Sequence, residues 1–264
     1  MRPSPARLAW ALERSASLFT ILPVRTRAAE LGPGDGVAAL LWLPAVGAAL
    51  GALAGLPATA IRQWSPHANG LGAVGAIAVL AVATRCLHLD GLADTADGLG
   101  SRAPAERARE IMKKSDIGPF GVVTLVLVLL ADVVAVSSVS GGPWAPAAAL
   151  AIAAMTGRVA AVQAAMRGVR AASASGFGAL VADGVAPGAV GAWTIGALAA
   201  GGLIAAVAGL EIIWVIGCQG AAMGASWLLR VHAGRRLGGM TGDVFGALIE
   251  TATAVALIGV GLWQ

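Results

Sequence analysis

Apolar runs of roughly 20 residues recur along the chain, at about 37–61, 71–97, 119–139, 144–166, 187–209, 211–229 and 242–262. A run of that length, wound as a helix, spans the hydrocarbon core of a bilayer. The pattern predicts an all-α, polytopic integral membrane helix bundle of about seven transmembrane helices, forming a single domain over residues 1–264. Pro44 is expected to kink the first span. Pro119, Pro143, Pro146 and Pro187 fall near span starts or connections, where a missing N–H does least harm. Ahead of the first span, Leu8, Leu12, Ser15 and Phe19 form one stripe flanked by Arg7 and Arg14. That stripe predicts a short amphipathic helix lying on the membrane surface, within an N-terminal interfacial segment over 1–36. Glu13 and Arg14 interrupt the same stretch, which is unlike a signal peptide.

Composition agrees with the pattern. Hydrophobic residues make up 58% of the chain and charged residues 12%, whereas a soluble domain carries about 25% charged. In a soluble protein, a net charge of +4 would suggest nucleic acid. Here most Arg and Lys fall between the apolar runs, as membrane topology requires, so no nucleic-acid partner is expected. The basic residues alternate by connection. Arg2, Arg7, Arg14, Arg25 and Arg27 precede the first span, and Arg102, Arg107, Arg109, Lys113 and Lys114 follow the second. Arg167 and Arg170 follow the fourth, and Arg230, Arg235 and Arg236 follow the sixth. The connections between carry only Arg62, no charge at 140–143, and Glu211. The positive-inside rule then places the N-terminus in the cytoplasm and the C-terminus outside. Asp90, Asp94, Asp97, Asp116, Asp183, Asp243 and Glu250 all fall at or near cytoplasmic span ends. A transporter usually sets ionisable groups near the midplane, so this distribution favours an enzyme working at the cytoplasmic face of the cell membrane.

Cys86 and Cys218 lie inside apolar runs and form no CxxC pair, so both read as buried small hydrophobes. Gly51–Gly55 and Gly220–Gly224 match the small-xxx-small packing pattern. Residues 99–118 are the longest polar stretch, a cytoplasmic interfacial loop in which Pro104 and the Glu106/Glu110 to Arg109/Lys113/Lys114 spacing predict a short helix.

The chemistry is concentrated in two places. His88-Leu-Asp-Gly-Leu-Ala-Asp-Thr-Ala-Asp-Gly98 spaces Asp90, Asp94 and Asp97 at i, i+4 and i+7, on one helical face. Like charges so placed repel one another, and a divalent cation is the simplest group to hold them together; Mg²⁺ takes such carboxylates along with phosphate oxygens. Pairing with Arg85, Arg102 or Arg107 is the alternative. The second place is Gly238-Gly-Met-Thr-Gly-Asp243-x6-Glu250, where Asp243 and Glu250 again share a face and a Gly-rich lead-in lets backbone N–H groups approach an anion. Thr241 or Asp243 acting only as an N-cap is the alternative there. Arg102, Lys113 and Lys114 are candidate phosphate ligands. Arg158, inside the fourth span, either pairs with an acid or holds a phosphate. Together these groups indicate Mg²⁺-dependent phosphoryl transfer.

With these residues in hand, the chain resembles the cobalamin synthase, or adenosylcobinamide-GDP ribazoletransferase, family. The resemblance rests on Phe19-Thr-Ile-Leu-Pro-Val24, the His88–Gly98 block, Glu110-Ile-Met-Lys with Ser115 and Gly118, and Gly239-x-Thr241-Gly-Asp243-x2-Gly246-Ala247-x2-Glu250. It implies transfer of the cobinamide phosphate of adenosylcobinamide-GDP to α-ribazole or its 5′-phosphate, with GMP leaving and Mg²⁺ as cofactor. It further implies metal binding by Asp90, Asp94, Asp97, Asp243 and Glu250, acid–base work among Asp94, Asp97 and Glu250, and substrate contacts from Arg102, Lys113, Lys114, Ser115, Arg158 and Thr241. Association into a homo-oligomer is left open. One departure stands out: the family tends to read basic-Asp-Ser-Arg-x-Gly, and here Lys113-Lys-Ser-Asp116-Ile-Gly exchanges acid and base across Ser115. A CDP-alcohol phosphotransferase shares Asp94-x2-Asp97-Gly-x2-Ser101-Arg102, but its second acidic half does not follow Arg102.

Overall fold

The computed structural model describes residues 5–23 and 34–263. Arg2, Val24, Arg25 and Arg27 lie outside the described residues. Among those described, twelve α-helices run in order: α1 (Pro5–Phe19), α2 (Asp35–Ala54), α3 (Leu56–Trp64), α4 (Asn69–Ala83), α5 (Leu87–Gly100), α6 (Ala105–Met112), α7 (Pro119–Ser138), α8 (Ala145–Ala164), α9 (Phe177–Val181), α10 (Pro187–Ala208), α11 (Ile212–Leu237) and α12 (Gly242–Gly261). Seven segments are long and apolar enough to cross a membrane: α2 with α3, α4 with the turn before it, α7, α8, α10, α11 and α12. The chain is a multi-pass membrane protein.

The second span corrects the expectation. The run at 71–97 is two helices, because the chain leaves α4 at Thr84, and Arg85 and Cys86 take φ of 55° and 54°. That left-handed conformation is costly for residues with a Cβ and ends the helix. α5, with its three Asp, therefore sets out as a separate element. Cys86 is exposed at this break instead of buried, while Cys218 is buried as expected. The polar stretch after α5 does form a short helix, α6, with Arg107 and Glu110 paired at 2.7 Å.

α8 is the buried axis of the bundle, with nearly every residue inside. α2 lies against it through Gly47, Gly51 and Gly55, whose missing side chains admit the α8 backbone. A Cβ at Gly47 would stand 2.7 Å from the Ala154 carbonyl oxygen. Gly220 and Gly224 face open space, so their match to the packing pattern reflects only the abundance of glycine. On the outside of α7, Val122, Val126, Leu127, Leu130 and Val134 are exposed, an apolar surface suited to lipid.

The connections separate cleanly into two ends. At one end Arg62 donates to the carbonyls of Val139 and Gly141, Gly142 N–H donates to Ala208, and Ser140 donates to Trp263. Exposed Trp64, Trp144, Trp214 and Trp263 also gather there, the placement expected of tryptophans at a membrane interface. The other end carries α5, α6, α9 and the lead-in to α12. α1 packs against α2 and buries Ala11, Ser15 and Phe19 but leaves Leu12 exposed, so its inner face is turned by about one position from the expected stripe. The side chains of Arg7 and Leu8 lie outside those described.

Candidate active site

The lead-in to α12 is shaped by Gly238 and Gly239, with φ of 81° and 149°. A Cβ at Gly239 would stand 2.6 Å from the Ala171 backbone, so only glycine admits the neighbouring loop. That loop is pinned by paired backbone bonds: Ala172 N–H donates to Met240 and Met240 N–H to Arg170, each at 2.9 Å. Thr241 then caps α12, its hydroxyl accepting from Val244 N–H at 3.2 Å.

α12 crosses α5 with backbone touching backbone. A Cβ at Gly91 would lie 2.6 Å from the Asp243 carbonyl oxygen, and one at Gly246 would lie 3.0 Å from that of His88. The crossing brings Asp243 beside Asp90 and Asp94. Asp90 is exposed, and Asp94 and Asp243 are half-buried. Burial, followed by the charges of Asp90, Asp243 and Asp97, pushes the Asp94 carboxyl up to about 7.

The outer members of each acidic motif do other things. Asp97 turns towards α7, where its two oxygens accept from Gly118 N–H at 2.7 Å and Gly121 N–H at 2.9 Å, fixing the start of that helix. Glu250 is buried, with Oε1 3.8 Å from His88 Nδ1. Arg158 donates to the Ala154 carbonyl at 3.2 Å and lies 3.4 Å from the same His88 nitrogen. Burial, and then the Arg158 charge, hold the His88 pKa well below the ordinary 6.5, so the imidazole is neutral.

A cavity of about 430 Å³ opens at this crossing. Its wall combines the polar Asp90, Asp243, Arg109, Lys113, Thr241 and Ser173 with the apolar Phe19, Leu40, Phe177, Phe245 and Ile249, and includes His88. Of the residues expected from sequence, Asp90, Lys113, Thr241 and Asp243 reach its wall and Asp94 stands against them. Asp97, Arg158 and Glu250 do not line it, nor do the exposed Arg102, Lys114 and Ser115. Sequence reasoning missed Arg109, Ser173, Ser175 and the three phenylalanines. The run of small residues at 171–176, following Arg167 and Arg170, was the available signal for the loop.

Among the described residues, no three of His, Cys, Asp or Glu are gathered so as to hold a metal ion by themselves. The donor set nevertheless suits an open Mg²⁺ site. Asp90, Asp94 and Asp243 offer hard carboxylate oxygens that repel one another, and Mg²⁺ is commonly held by one or two carboxylates completed by substrate phosphate and water.

A family model described as cobalamin-5-phosphate synthase matches residues 12–261. The chain is similar to proteins named adenosylcobinamide-GDP ribazoletransferase. It is 38% identical to the one from Frankia casuarinae over 92% of this chain and 91% of that protein. It is 33% identical to the one from Corynebacterium efficiens, over 91% and 86%, and 33% to the one from Geotalea daltonii, over 69% and 70%. No solved structure matches.

Proposed function

The chain belongs to the cobalamin-5-phosphate synthase family, and we propose that it transfers the cobinamide phosphate of adenosylcobinamide-GDP to α-ribazole or its 5′-phosphate. The ribose 3′-hydroxyl oxygen bonds to the cobinamide-side phosphorus, the bond from that phosphorus to the bridging oxygen breaks, and GMP leaves with the bridging oxygen. The products are GMP and adenosylcobalamin, or adenosylcobalamin 5′-phosphate. The observation that carries this reading is the α5–α12 crossing at Gly91, which joins acids 149 or more positions apart, Asp90 and Asp94 with Asp243, at the mouth of one cavity.

Each side chain then has a part. Asp90, Asp94 and Asp243 are the acids from which the one or two carboxylate ligands of Mg²⁺ would come, and the ion, when bound, would neutralise diphosphate charge and favour departure of the nucleotide. Arg109 and Lys113 offer positive charge to the phosphates from the same wall. An acid at the crossing takes the hydroxyl proton as the ribose oxygen bonds to phosphorus. Asp97 supports by anchoring α7, and Arg158 by holding His88.

Removing divalent cations with EDTA should stop GMP release by the purified protein, and added Mg²⁺ should restore it; unchanged release in EDTA would remove Mg²⁺ from the account. The cavity end carries the basic connections, so we place it at the cytoplasmic face of the cell membrane. Reporter fusions should accordingly find the C-terminus outside the cytoplasm, and a cytoplasmic C-terminus would refute this orientation.

A further inference from the structure

The apolar side of the cavity is an aromatic box. Phe177 stands edge-on to Phe19, with ring centroids 5.5 Å apart at 87°, and edge-on to Phe245, 5.8 Å apart at 85°. Such rings present flat, rigid apolar surface that suits a planar guest. One polar side chain interrupts the box. His88 is only 2% exposed, and its Nδ1 lies 3.4 Å from an Arg158 guanidinium nitrogen. A guanidinium can only donate, so in this contact Nδ1 accepts, and we assign the ring proton to Nε2. Nε2 is buried and has no hydrogen-bond partner. An unpaired buried donor is destabilising, and a guest carrying one acceptor would relieve it.

From this geometry we infer that Phe19, Phe177 and Phe245 seat the base of ribazole, with His88 Nε2–H donating to its free ring nitrogen and the ribose left at the acidic rim. The inference rests on the ribazoletransferase reading. That base is a benzimidazole carrying two methyl groups, which is flat, apolar, and once glycosylated has a single in-plane acceptor. Guanine carries an N1–H and an amino group as donors, with O6 and N7 as acceptors. Against this wall most of them would be desolvated without partners. The cavity, at about 430 Å³, lies near the small end of the roughly 300–1,000 Å³ usual for ligand pockets. It admits a nucleoside and leaves the far larger corrin outside.

The hydrogen bond can be tested without altering the protein. Binding of α-ribazole to the purified full-length chain in detergent, with no adenosylcobinamide-GDP present, is compared by calorimetry with binding of the dimethylindole riboside, in which the acceptor nitrogen is a C–H. The indole analogue should bind about tenfold more weakly. In a second arm, Phe177→Ala should raise the KM for ribazole about tenfold, as loss of an aromatic platform does for other bases. The KM for adenosylcobinamide-GDP should stay unchanged, and an unshifted melting temperature reports a folded variant. Equal binding of the two ribosides, or a KM change confined to adenosylcobinamide-GDP, overturns the base seat. If the unaltered protein releases no GMP at all, the ribazoletransferase reading itself falls, whereas normal turnover with equal riboside binding strikes only the seat.

Discussion

Asp94→Asn should lower the rate of GMP release about a thousandfold while leaving the protein inserted and at least as heat-stable as before. A metal acting as Lewis acid supplies several kcal/mol of transition-state stabilisation, which corresponds to about that factor. Asn keeps the shape of Asp but loses its charge, so the cation is held less well. Stability should move the other way. Asp94 is half-buried beside three other carboxylates, and burial, followed by their charges, pushes its carboxyl up to about 7. Removing one of four mutually repelling charges relaxes the metal-free protein. Rate measured beside melting temperature in detergent separates the two effects. A near-normal rate would make Asp94 structural, and a collapse of both quantities would show that the variant had merely unfolded.

Gly91→Ala should be strongly damaging, because it places a methyl directly in the α5–α12 crossing. The new Cβ would stand 2.6 Å from the Asp243 carbonyl oxygen and 3.0 Å from its Cα. Both are backbone of α12 and cannot rotate aside. Ordinary contact begins at 3.4 Å, so the helices must part by about 0.8 Å. A displacement near 1 Å can lower a rate about a hundredfold, and overpacking of this kind typically destabilises by about 1–3 kcal/mol. Gly196→Ala on α10 is the control, because a Cβ there meets nothing within 4 Å. It should leave turnover unchanged and gain slightly in helix stability. Equal effects of the two substitutions would mean that the crossing does not set the geometry of the acids.

The spans were legible because hydropathy alone decides which helices cross lipid, and the runs at 119–139, 144–166, 187–209 and 242–262 match α7, α8, α10 and α12 within a few residues. The break at Thr84–Cys86 was not, since Leu87, Leu89 and Leu92 carry the apolar run past it. What ends α4 is a local backbone conformation at Arg85 and Cys86 that no hydropathy window records. At the site, the spacing i, i+7 put Asp90 with Asp97 and Asp243 with Glu250 on common faces. Seven residues also separate side chains by about 10 Å along a helix, too far for both ends of either pair to meet the same ion. The inner residues of each motif accordingly gather at the crossing. Asp97 and Glu250 find surroundings that only tertiary structure supplies: the first amides of α7 for one, and a buried position beside His88 for the other. The phenylalanines were hidden for a different reason. Phe177 and Phe245 are single aromatic residues in separate segments and carry no periodic signal, while the periodicity at Phe19 pointed only to an amphipathic helix.

We propose that this membrane protein joins ribazole to the cobinamide phosphate and expels GMP. The direct measurement incubates the purified chain in lipid nanodiscs with adenosylcobinamide-GDP and Mg²⁺, with and without α-ribazole, and resolves the products by chromatography. The account predicts equimolar GMP and adenosylcobalamin, formed only when ribazole is present. GMP appearing at the same rate without ribazole, alongside cobinamide phosphate, would show a hydrolase, and no GMP under either condition would contradict the claim outright.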